Sequence, residues 1–379
     1  MSLEEFLSEM QQIQENLLDY IDDESTAEGK FQFLKNIFDK IKIHDNPSKI
    51  KQILSLIFKI SNNHHYKEDF FNKIERILYL FIEDMKKYFS NEDILRIFKN
   101  NKRILLFLLE EKIMIGDESF GKFITRKKLF DAKYPEYFSP EIEPFINFYW
   151  FSHDGMARIN ILVEKWTKDQ LFYEKRKKSQ NDNFVCQLIQ KDLIDDFIVY
   201  VNKTNYSLQS TIEPSIYETN SFLLDQKNIS LIEYAVFYGS IQIIFYLIHN
   251  NVELTPSLWK YAIHGKNADI IHLLESNKIK PPEDPNNQNN NIYEQIFIDS
   301  IKCHHNDIAN YIKNNYLYNN QKYSKEILQN IFKYYNYLFI QNDMINSDSL
   351  HFLIKYDHCD FVSFLLKQKD IDVNMKIMI

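Results

Sequence analysis

Histidine and cysteine are the side chains here that could carry chemistry, and they gather in three places. Cys303-His304-His305 stand in a row, His351 lies just before His358-Cys359, and His64-His65 sit in the polar stretch SNNHHYKED. A zinc centre needs four converging ligands, and its cysteines usually come as a pair two to four residues apart. None of Cys186, Cys303 and Cys359 is spaced that way. A nucleophilic cysteine needs a thiolate beside a histidine, and Cys303 with His304 meets that only by adjacency, since helical neighbours i and i+1 point apart. No G-x-x-x-x-G-K-S/T, G-x-G-x-x-G, G-x-S-x-G or H-E-x-x-H motif occurs. The expectation is a chain that is not an enzyme, with no catalytic residue, metal or cofactor, and with His64-His65 solvated.

The elements that would position these residues follow from composition. The 379 residues carry 45 Lys+Arg against 53 Asp+Glu, a formal charge of −8, which argues against a nucleic-acid partner that would need a basic face. Six glycines and nine prolines are too few for an all-β chain with many tight turns. The length exceeds what one core usually holds, about 250–300 residues. The N-terminus is acidic where a leader would be basic and apolar, and no run reaches the ~18 apolar residues of a membrane span. Scattered cysteines fit a reducing compartment, so a cytoplasmic location without a membrane partner is expected. The basic run Lys175, Arg176, Lys177, Lys178 offers a nuclear import signal, against the plainer reading of a solvated polar loop.

Apolar residues at three- or four-residue spacing predict helices through the first 133 residues. These include Leu3 to Ile21, Phe33 to Ile41, a helix entered at Ser48, a long one from Asp69 to Phe89, and short ones at Ile94–Phe98 and Lys102–Glu111. Three prolines in YPEYFSPEIEP predict an extended connector within residues 134–180, which also hold the basic loop. Residues 181–379 repeat. Ser230-Leu231-Ile232-Glu233-Tyr234-Ala235-Val236 parallels Ser257-Leu258-Trp259-Lys260-Tyr261-Ala262-Ile263, and four residues past each alanine comes a turn, at Gly239 and Lys266. The frame fits again at Ser300 with turn His304-His305, and at Leu353 with turn Asp357-His358. Leu188 with Asp192, and Ile97 with Asn101, look like more worn copies. The steps of 27, 38 and 53 residues are irregular, and the long ones carry PPEDPNNQNNN and an extra helix near Ile327–Leu338.

This pattern resembles the ankyrin repeat, with Leu350-His351 at its L-H position and His358 at its turn. The block Ser230–Glu275, with SNEDILRIFKNNKRILLFLLEEKIM and YPEYFSPEIEPF upstream, resembles a large expanded family of divergent ankyrin-repeat proteins of parasitic protists. The resemblance spans most of the chain, and it implies a fold and an interaction role but no activity. It implies an all-α, helical-repeat solenoid of degenerate ankyrin repeats with an N-terminal helical region. Ala235, Gly239, Ala262, His305, His351 and His358 become structural repeat positions, the histidines bonding the neighbouring loop's backbone. Phe237, Tyr238, His264, Lys302, Lys355 and Tyr356 would then line a concave face that takes a protein partner. The competing reading buries them against inserted segments. The functional expectation is a non-catalytic interaction scaffold or adaptor. Its rival is a structural or regulatory protein whose helical regions self-associate. Leu350–Leu366 is expected to be the least stable helix pair, since the closing Met375–Ile379 can cover little of it.

Overall fold

A computed structural model describes residues 2–23, 28–65, 69–126, 133–145, 171–283, 292–317 and 323–367. Among the described residues every regular element is helical, apart from one isolated antiparallel bridge between Thr211 and Ser230. None of these helices is long and apolar enough to cross a membrane. The chain forms two compact units that ignore sequence order, residues 1–88 with 255–379, and residues 89–254. This differs from the expected division at 133 and 180, because the N-terminal helices pack on the C-terminal ones.

In the first unit, α1 (Leu3–Asp22) starts at Ser2, whose hydroxyl and Glu5 cap it reciprocally, and it buries the expected stripe Phe6, Leu7, Met10, Ile13, Leu17, Leu18 and Ile21. After α2 (Glu28–Lys40), α3 (Pro47–Asn63) is capped by Asn46, one residue before Pro47, rather than by Ser48. The long helix expected from Asp69 to Phe89 breaks into Phe70–Tyr79 and Ile82–Tyr88. Leu80 and Phe81 bond back three residues, to Ile77 and Leu78, and the tightened turn drops Phe81 into the core.

In the second unit, the capping box of Ser90 and Asp93 opens Asn91–Phe98, and Lys102–Glu110 follows as expected. The YPEYFSPEIEP stretch is a correction. Each of Pro135 and Pro140 sits in the first turn of a one-turn helix, Tyr134–Tyr137 and Ser139–Ile142, where a missing N–H costs nothing. The basic run is another, since it ends the helix Phe172–Lys178. Of the Pro/Asn insertion, residues 284–291 lie outside the described residues, as does the tail from 368 on.

One turn recurs through both units. At Leu188 and Ala235 in the second unit, and at Ala262, Ser300, Ile331 and Leu353 in the first, the residue four further on is left-handed. These are Asp192, Gly239, Lys266, His304, Tyr335 and Asp357, with φ between 50° and 69°. The next N–H then returns to the starting carbonyl, at 3.0, 3.0, 2.9, 3.1, 3.1 and 2.8 Å in that order. This closure of a helix end by a left-handed residue ties off its last carbonyls. A second helix then runs back in five copies, as in Leu231–Tyr238 with Ile241–His249 and Leu258–His264 with Ala268–Ser276. In the Ile331 copy, Lys325–Lys333 is followed only by the 3-10 turn Tyr337–Phe339. The extra helix expected near Ile327 is thus the first helix of a copy. The Ile97 candidate does not share this turn. Asn101 is extended (φ −124°) and simply caps Lys102–Glu110.

Candidate functional site

After four of the six left-handed turns the next residue bonds back to the copy before it. Ser240 Oγ donates to the Ile189 carbonyl (2.5 Å), His305 Nδ1 to Ile263 (2.7 Å), Asn336 Nδ2 to Ile301 (3.1 Å) and His358 Nε2 to Phe332 (2.8 Å). Each acceptor stands one residue past its own copy's starting position. His305 and His358 therefore bond the neighbouring turn, and both are buried. Burial, with the charges of His64, His65 and Lys266, holds His305 well below the ordinary imidazole value, and burial takes His358 down to about 4. Ala235 and Ala262 are fully buried, and Gly239 is left-handed. His351 instead lies half-buried against Phe352.

The face expected to receive a partner is largely covered. In the first unit α3 runs along the turns. Ser48 Oγ and Gln52 Nε2 donate to Asp360 (3.0 and 2.7 Å), Lys51 pairs with Asp357, Lys59 stands 5.7 Å over the Tyr334 ring, and His64 Nδ1 donates to the Cys303 carbonyl (2.8 Å). Alongside, Gln14 of α1 donates to Asn336 Oδ1 and His304 Nδ1 (2.8 Å each), and Asp22 pairs with Lys266 (2.6 Å). The expectation of an open face therefore needs correction at most of its residues. His264 is buried, its Nδ1 3.1 Å from Cys303 Sγ, while Lys302 and Tyr356 are half-buried and Lys355 alone is exposed. In the second unit Phe237 is buried beside Phe222, and Tyr238 is half-buried against Tyr234. Burial pushes the Cys303 thiol far up, away from the thiolate form that nucleophilic chemistry uses.

Two further sequence expectations change. Arg176 is no solvated cation but a buried one, forked onto Glu141 at 2.8 and 2.9 Å and donating to the Tyr137 carbonyl at 2.9 Å. His64 and His65 are not solvated either. His64 is fully buried and the His65 side chain is 11% exposed. Their rings meet that of His305, with centroids 4.5, 4.7 and 5.2 Å apart. One ring nitrogen from each lies within 4.8 Å of the others. Asp22 Oδ1 approaches His64 Nε2 at 2.8 Å and His65 Nε2 at 3.9 Å. Although burial alone would raise it, His64 and Lys266 hold the Asp22 carboxyl well below the usual carboxylate range. The sequence offered only the two His-His pairs as a signal, 240 positions apart, and nothing for Asp22.

The second unit buries further ionisable groups, among them Lys102 and Glu218. Lys102 donates to the Ile216 carbonyl (3.0 Å) over the Tyr134 and Tyr137 rings, and burial draws it down to about 7. Burial likewise lifts Glu218 to about 7, while it accepts the Thr219 and Asn220 N–H groups (2.9 and 2.8 Å). These contacts pin the segment 216–220 against the helix Lys102–Glu110. No protein-family model, curated protein or solved structure matches the chain.

Proposed function

We propose that this chain is a non-catalytic protein-interaction scaffold, a cytoplasmic solenoid of divergent ankyrin-type copies that binds a protein partner. The observation that supports the reading is the bond from a side chain to the preceding copy's carbonyl at four of the six turns that close a first helix; the same closure also ends helices at Leu108, Val201, Leu247 and Leu274. Copies that bond chiefly to their neighbours build a long surface from local parts, and such surfaces serve binding.

A second reading, self-association or regulation in cis, is favoured by α1 and α3, which occupy the turn face of the C-terminal copies. The two readings join if the N-terminal helices mask that face until a partner competes for it. Affinity capture from the native cell tests this with the full chain and with a Lys51→Glu, Gln52→Glu variant, which sets like charges against Asp357 and Asp360. A partner captured in fixed stoichiometry by the wild type, and more strongly by the variant, is the expected result. Capture by neither, together with turnover in a hydrolase or transferase screen, would overturn the scaffold reading. Weaker capture by the variant would show that α3 belongs to the binding surface and does not mask it.

A further inference from the structure

We infer that Asp22, His64, His65 and His305 bind one divalent transition-metal ion of the zinc type, closing the ends of α1 and α3 onto the turn of the Ser300 copy. The three imidazole donors already converge. A tetrahedral site with bonds of about 2.0–2.1 Å sets its ligand atoms roughly 3.3–3.4 Å apart. His65 Nδ1 and His305 Nε2 stand at 3.3 Å, and the widest nitrogen separation, 4.8 Å, is one that small ring rotations can close. Asp22 Oδ1 lies beside this trio, 2.8 Å from His64 Nε2 and 3.9 Å from His65 Nε2, and would complete the shell by moving inward as the His65 ring turns.

Orientation argues the same way. A metal-bound imidazole usually gives its other ring proton to a carbonyl or carboxylate, which fixes the tautomer and turns the ligating nitrogen toward the ion. His305 Nδ1 faces the Ile263 carbonyl at 2.7 Å and His64 Nδ1 the Cys303 carbonyl at 2.8 Å. A carbonyl can only accept, so both Nδ1 atoms carry the proton and both Nε2 atoms turn into the cluster. Asp22 is held from behind, its Oδ2 accepting from Lys266 Nζ at 2.6 Å while Oδ1 looks inward. Three imidazoles and one carboxylate suit Zn²⁺ or its neighbours rather than the oxygen-seeking Ca²⁺ or Mg²⁺. Four protein ligands fill a tetrahedral shell, which describes a structural ion. The Asp22 side chain, 26% exposed, leaves a way in from solvent.

The test uses the full chain, stripped with a chelator and titrated with Co²⁺ and then Zn²⁺. The expected result is one Co²⁺ per chain with the strong visible absorption of a tetrahedral ion, its displacement by Zn²⁺, and a rise in melting temperature with Zn²⁺. His65→Gln and Asp22→Asn should each weaken Zn²⁺ binding at least about tenfold and erase the melting shift. His272→Gln and His351→Gln, outside the cluster, should change neither. His65 and Asp22 are the leading variants because both reach solvent, so they are expected to fold, whereas His305 is fully buried. No saturable uptake by the folded wild type would overturn the inference. So would a weakly absorbing octahedral Co²⁺ spectrum, or a folded His65→Gln variant that binds as tightly as wild type.

Discussion

At positions 240, 305, 336 and 358 a serine, two histidines and an asparagine do one job, donating to a buried carbonyl one copy back. An unmade bond there leaves a buried acceptor without water, at roughly 1–3 kcal/mol. His358→Ala is therefore expected to lower stability by about 1–3 kcal/mol in urea titration, with His358→Gln recovering part of it. The same histidine sets a pH dependence. Burial holds its folded value at about 4, opposed by the Phe332 carbonyl and by Asp357, with Lys59 adding to the depression, against 6.5 ordinarily. Between those values the unfolded chain binds more protons than the folded one, so stability rises with pH and falls as the solution is acidified through that window. His358→Gln should flatten that fall, and unfolding free energies measured across the window would show it. A fall equally steep in the variant would assign it to other groups. The resemblance to ankyrin repeats made the histidines at 305 and 358 legible as backbone-bonding residues, and it placed His351 with them although that ring lies against Phe352. Ser240 and Asn336 were not legible, because three different side-chain chemistries satisfy the same carbonyl and no residue type marks the place.

Among the elements, the turns ask for a left-handed residue, and five of the six use one with a β-carbon. Asp192 shows what such a residue can add, since its carboxylate accepts the N–H groups of Gln242 and Ile243 (both 3.1 Å) at the start of Ile241–His249. Asp192→Ala loses the cap and the tolerance for positive φ together, and is expected to cost about 1–2 kcal/mol by thermal denaturation. Asp192→Asn, which keeps the tolerance, should cost less; equal losses would show that the cap alone matters. The helices themselves were readable, because three- and four-residue spacing is a local signal that survives in α1 and in the copies. The places that misled are those where packing decided. Phe81 is drawn inward and splits a continuous stripe, while Pro135 and Pro140 fall at first-turn positions that a count of prolines cannot separate from a helix break. The surroundings of α3 were illegible too, since its partners lie some 240 to 310 residues further along. That one fact hid both the covered face and the histidine cluster.

For the molecule as a whole, the last copy is the exposed end of the first unit's array. Ile189, Val236, Ile263, Ile301 and Phe332, each one past its copy's starting position, are all but fully buried, whereas the equivalent Ile354 is 60% exposed. On its inner side the same copy is clasped by α1, where Phe6 meets Phe361 edge-on at 5.2 Å and Phe364 at 5.6 Å. Native-state hydrogen exchange should find Phe361–Leu366 less protected than Ile243–Leu247, and Phe6→Ala should lower the first further while leaving the second unchanged. Equal protection in the wild type would mean that the end is properly capped.

That clasp also fixes an order of events during synthesis. The first 88 residues pack partly on one another but complete their unit only with residues after 254, so the ribosome must first make the whole of the other unit. At about 5–20 residues per second, α1 and α3 wait roughly 8–30 s for the C-terminal side of their packing, with Phe6 parted from Phe361 and Phe364. Over that interval the nascent N-terminus is a client for holdase chaperones, and a ribosome stalled before Thr255 would present those helices still unpacked.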